Sequence, residues 1–201
     1  MARWHRWNAF ALSAFLALHL INHAIGAFGI SYHLDAMQIA RQVYRLPGIE
    51  HIVIVLFTIQ VFLGLRLVFL RGWPHGGWAW AQVASGLYLA FFLIQHVPSI
   101  LVARSGASGL DTNSYFAAAV LDAAPFIWYF APYYTLAIAA LFTHVACAIR
   151  FAIWPRPAPI ALYLICGLGL ILGAAVVVAL AGITQPFELP AQYQSYLEMF
   201  I

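Results

Sequence analysis

The sequence predicts an all-α membrane protein, a bundle of five transmembrane helices with its N-terminus cytoplasmic and its C-terminus external. Three observations predict it. Of the 201 residues, 65% are hydrophobic and only 7% are charged, whereas a soluble domain carries about 25% charged residues. So few charges cannot cover a water-exposed surface. Five apolar segments reach the length of about 20 residues that a bilayer requires, and the arginines divide unevenly between the two sides those segments define. Helices sharing one bilayer read as a single domain, residues 1–201.

The spans are expected over roughly 9–30, 49–70, 79–103, 127–153 and 158–183. Arg3, His5 and Arg6 flank the first, and no small-residue cleavage site follows it, so no cleaved signal peptide is expected. Leu46-Pro47-Gly48 precedes the second span. The run Gly72-Trp73-Pro74-His75-Gly76-Gly77 separates the second from the third. Ser105-Gly106-Ala107-Ser108-Gly109 closes the third, and Trp154-Pro155-Arg156-Pro157 divides the fourth from the fifth. Segments 31–47 and 105–126 exceed simple turns and are expected to lie along the membrane surface as short amphipathic pieces.

All nine basic residues are arginine. With the N-terminus inside, Arg3, Arg6, Arg66, Arg71, Arg150 and Arg156 fall on the cytoplasmic side. Arg41, Arg45 and Arg104 fall outside, and that bias sets the orientation. A formal charge of +3 is too small and too scattered for nucleic-acid binding. Trp4, Trp7, Trp73, Trp78 and Trp80 cluster at the cytoplasmic boundary as an aromatic belt. Cys147 and Cys166 lie inside apolar segments as small core residues rather than as a disulfide or metal site.

Eight histidines are many for so apolar a chain. His5, His33 and His75 fall in termini or loops and read as solvated. His51 begins the second span. His19, His23, His96 and His144 lie within spans, where ionisable groups are costly and face the bundle interior. Neutral imidazoles on two helices suit the opposite faces of a haem iron. The first and third spans both run outward, so His19 and His96 can share one iron; His23, one turn beyond His19, is the substitute. A lone histidine can instead hydrogen-bond a neighbouring helix. The second and fourth spans run inward, and Gln60 and His144, each six residues before an arginine, are expected at similar depth. An amide is a poor haem ligand, which leaves His144 as an inner-haem ligand, a quinone contact or a packing residue.

Several stretches together resemble a known family. They are Phe15-Leu16-Ala17-Leu18-His19-Leu20, Gln60-Val61-Phe62-Leu63-Gly64-Leu65-Arg66, Gln82-Val83-Ala84-Ser85-Gly86 with Gln95-His96, and Leu141-Phe142-Thr143-His144 with Arg150-Phe151-Ala152. Over about 180 residues their order and spacing resemble the single-polypeptide, five-helix cytochrome b anchor of bacterial succinate dehydrogenases and fumarate reductases, the succinate:quinone oxidoreductases.

The resemblance implies an outer haem b on His19 and His96. It also implies an inner haem whose fourth-span ligand is His144 and whose second-span ligand is replaced here by Gln60. One haem b is therefore expected. Phe142 stands where some dihaem relatives carry a proton-transferring glutamate, so that role is not transferred. Also implied are a flavoprotein with covalent FAD and an iron–sulfur subunit on the cytoplasmic face, and a location in the bacterial inner membrane. Arg3, Arg6, Arg71 and Arg156 are placed to meet those partners or anionic lipid. Quinone contacts are expected from Gln60, Arg66 and His144 on the inner side, or from Arg45, Glu50 and His51 on the outer side. Two alternatives stay open, a haem-free anchor of the same complex and a cytochrome b anchor of another redox enzyme.

Overall fold

The computed structural model describes residues 1–105, 109–122, 124–153 and 159–199. The expected breaks at 106–108 and 154–157, with Arg156, lie outside the described residues. The chain forms α1 (Ala2–Ile25), a 3-10 turn (Gly26–Phe28), α2 (Ile30–Tyr44), α3 (Ile49–Arg71), α4 (Gly77–Ser105), α5 (Ser114–Asp122), α6 (Phe126–Ile153), α7 (Ile160–Leu180) and α8 (Ala191–Glu198). Among the described residues, five helices are long and apolar enough to cross a membrane, namely α1 with its 3-10 turn, α3, α4, α6 and α7. They follow the expected spans with one substantial difference. The first begins at Ala2 rather than near residue 9, because nothing between Arg3 and Asn8 breaks a helix, and its polar side chains find partners on neighbouring helices.

Successive spans run antiparallel. Asn8 on α1 donates to Leu56 O and Gln60 Oε1 on α3, at 2.9 and 2.7 Å, and Phe15 meets Phe57. Tyr88 on α4 donates to Tyr133 O on α6, and the Tyr133 hydroxyl donates back to Phe92 O. The closest packing joins α6 to α7. A Cβ on Gly173 would stand 2.5 Å from Thr135 O, and Phe142 fills the space beside Gly169. Small residues four apart let two apolar helices approach backbone to backbone, where lipid supplies no hydrophobic drive for association.

Three short helices gather where α1, α4 and α7 end. Gly29, at φ 129°, turns the chain sharply, and the Gln185 side chain occupies the space where its Cβ would sit. From there α2 folds back beside α1, bringing His33 against His23 and Tyr44 against Phe15. It thus packs on the bundle rather than lying clear of it. Helices α5 and α8 share a small core of Leu110, Ala119, Tyr193 and Leu197. Asp111 ties this end together. It pairs with Arg41 at 2.9 Å and Arg45 at 3.6 Å, and its carbonyl accepts the Tyr193 hydroxyl at 2.9 Å. Burial favours the protonated Asp111 carboxyl, but the hydrogen bond from Arg41 and the charges of Arg41 and Arg45 outweigh it and hold the group below the usual range.

Candidate functional site

The interior between α1 on one side and α4 and α6 on the other is bridged by imidazoles. Helix α1 packs on α2, α3 and α7, and α4 packs on α3 and α6, while α1 makes no extensive contact with either α4 or α6. Across that gap His19 and His96 face each other, ring centres 6.3 Å apart and planes at 68°. Phe15 stacks on His19 at 5.6 Å and Phe92 on His96 at 4.8 Å, so an aromatic ring fixes each imidazole. An imidazole nitrogen lies about 2.0 Å from a metal it ligates and about 1.1 Å from its own ring centre, so two imidazoles on one iron stand about 6 Å apart. The His19–His96 separation matches that requirement.

His23 lies against His19 at 4.6 Å and against His33 at 4.9 Å. It extends the pair into a chain of four histidines. His33 is only 1% exposed, which corrects its reading as a solvated loop residue. Gly26 admits it, since a Cβ there would come within 3.0 Å of the His33 Nδ1. Burial, and then the nearby His19, lower its pKa to about 4, so it is neutral at physiological pH. The buried nitrogens His23 Nδ1 and His33 Nε2 have no hydrogen-bond partner. The polar character of residues 31–47 hid this second-row histidine, and the tight Gly26–Gly29 turn was the one signal pointing to it.

At the opposite end His144 donates from Nδ1 to Gln82 O at 3.2 Å and lies 3.2 Å from the Ser85 hydroxyl. Its ring faces His5, not Gln60, with ring centres 6.4 Å apart and planes at 80°. His5 was expected to be a solvated terminal residue. It is instead a half-buried member of α1, with Gln60 Nε2 3.3 Å from its Nε2. Gln60 therefore does not meet His144 directly, and its amide is engaged by Asn8 and His5.

The remaining candidate residues disperse. Arg66 and His51 are exposed. Glu50 forms a two-pronged ion pair with Arg104, whose Nη2 reaches Oε2 at 3.1 Å, a partnership between α3 and α4 that the sequence did not reveal. Arg45 serves Asp111, His75 is exposed in its loop, and Cys147 and Cys166 are free thiols. Arg3, Arg6 and Arg71 are exposed at the end that carries His5.

Among the described residues no group of three or more His, Cys, Asp or Glu could hold a bare metal ion. Two imidazoles suffice only where the remaining ligands come with the metal, as the ring nitrogens of a haem do. Comparison with models of protein families, with curated proteins and with solved structures gave no match.

Proposed function

We propose that this chain is the membrane-anchor subunit of a succinate:quinone oxidoreductase, a cytochrome b that passes electrons between an iron–sulfur subunit and membrane quinone. One observation carries the reading. His19 and His96 stand at the spacing two imidazoles need to share an iron, on two helices that otherwise keep apart. The residues present fit haem b, which when bound would supply a one-electron carrier within the bilayer.

The chain's own residues do the rest. His19 and His96 would hold the haem iron, and Phe15 and Phe92 restrict their ring rotation. Burial among the helices, together with the two ligating imidazoles, would set the potential of a bound haem. The exposed Arg3, Arg6 and Arg71 form the cationic face for the iron–sulfur and flavoprotein subunits, the latter carrying FAD, and for anionic lipid. On the inner side Gln60, Arg66 and His144 are the candidate contacts for quinone. On the outer side Glu50 and His51 are positioned to exchange its protons with water.

The test is purification of the tagged chain from native membranes in mild detergent. Covalent flavin and a b-type band reducible by succinate are expected in the same fraction. A haem-bearing chain without flavoprotein would indicate the anchor of another redox enzyme, and flavoprotein without haem a haem-free anchor.

A further inference from the structure

The end of the bundle that carries Arg3, Arg6 and Arg71 holds a second polar layer. Four of the five spans send side chains into it: His5 and Asn8 from α1, Gln60 from α3, Ser85 from α4 and His144 from α6. Polar groups inside a transmembrane bundle are costly, and a layer of them points to a ligand.

Backbone carbonyls fix where the protons of this layer sit, because a carbonyl only accepts. Leu56 O takes a proton from the Asn8 amide nitrogen, which also donates to Gln60 Oε1. The Gln60 amide nitrogen is therefore the end that reaches His5 Nε2. His5 Nε2 accepts, so the ring proton is on Nδ1, a buried donor without a partner. On the facing ring Gln82 O takes the Nδ1 proton of His144, which leaves Nε2 with its lone pair. One imidazole thus offers a donor and its neighbour an acceptor.

The spacing suits one shared oxygen atom. A ring nitrogen lies about 1.1 Å from its ring centre and a hydrogen-bonded oxygen about 2.8 Å beyond it, so two imidazoles on one oxygen at a near-tetrahedral angle stand about 6.4 Å apart. The centres of the His5 and His144 rings are 6.4 Å apart, with planes at 80°. Glycines give both rings their places. A Cβ on Gly86 would come within 2.9 Å of the His144 ring, and one on Gly64 within 3.4 Å of His5.

We infer that this layer holds a quinone head group by one of its oxygens, with His5 Nδ1–H as the donor and His144 Nε2 as the acceptor. A quinone carbonyl can take only the His5 hydrogen bond. A quinol hydroxyl takes it and also donates to His144, so the site holds quinol more tightly than quinone. Gln60 has both ends of its amide engaged and is a positioning residue that fixes the His5 tautomer. The inference rests on the quinone-linked reading above and names the contacts at its inner side.

The experiment is succinate-driven reduction of decylubiquinone, or of menadione where the wild type prefers it, by the detergent-purified complex. Inhibition by the corresponding quinol, dye reduction at the flavoprotein and the haem-to-polypeptide ratio are measured beside it. His5→Phe should raise both the quinone KM and the quinol inhibition constant by about five- to tenfold, the loss of one hydrogen bond. His144→Phe should raise the quinol constant alone. His5→Asn keeps an N–H near the Nδ1 position and His144→Gln keeps an oxygen near Nε2, so each should recover most of the loss. Dye reduction and haem content should stay at the wild-type level throughout. Should the phenylalanine variants not assemble, Gln60→Glu decides. Its oxygens only accept, which moves the His5 proton to Nε2 and should reproduce the His5→Phe pattern. Unchanged quinone and quinol constants would overturn the site, leaving the layer to a water molecule and the proposed function intact. Loss of haem from His144→Phe would overturn it in favour of an iron at this level. A wild-type complex without succinate-driven quinone reduction would remove the proposed function, and this site with it.

Discussion

The imidazoles of His23 and His33 stand 4.9 Å apart, joining a transmembrane helix to a short helix that returns beside it. His33 holds its neutral form in a site that is 1% exposed, and its pKa falls from 6.5 to about 4. The unfolded chain takes up a proton below about pH 6.5 and the folded chain only near pH 4. Stability from this group is therefore complete above pH 6.5 and is lost as pH falls toward 4, by about 3 kcal/mol in all. The melting temperature in detergent should drop between pH 7.5 and 5. His33→Leu should show a shallower slope, and equal slopes would contradict the buried neutral histidine.

The α6–α7 contact should be sensitive to volume at one glycine and indifferent at another. Gly173 faces Thr135 O closely, whereas a Cβ on Gly167 would meet nothing within 4 Å. Gly173→Val should cost about 1–3 kcal/mol through overpacking, read as early thermal aggregation by fluorescence-detected gel filtration. Gly167→Ala should match the wild type. Tolerance of valine at position 173 would mean that the helices are not packed as described.

Tyr193, 1% exposed, closes the α8 cap by donating to Asp111 O. Removing only the hydroxyl leaves a carbonyl short of its donor. Tyr193→Phe should therefore destabilise the cap by about 1 kcal/mol and raise the rate of proteolytic cleavage after residue 180. An unchanged cleavage rate would show that the cap is held by its apolar core alone.

The five spans were legible because apolar length dominates the sequence, and the approach of His19 to His96 was expected from their places on two helices that run in the same direction. His5 was missed for a specific reason. Arg3 and Arg6 mark the segment before residue 9 as polar flank, yet a helix continues through such residues without interruption. Its packing against Gln60 is tertiary information. His33 was hidden likewise, among Asp35 and Gln38, whose polarity reports the exposed face of α2 and not the face pressed against His23. The amide at position 60 was visible as a departure from the family it resembles. What it pairs with was not, because residues 5 and 60 are joined only by the antiparallel packing of α1 on α3.

The most direct test of the account is the reduced-minus-oxidised spectrum of His19→Ala and His96→Ala beside the wild type, at equal protein. Each variant should lose the same b-type component, one haem per chain, because the two rings serve a single iron. Wild-type haem content retained in both variants would contradict the assignment of His19 and His96, and with it the proposed function.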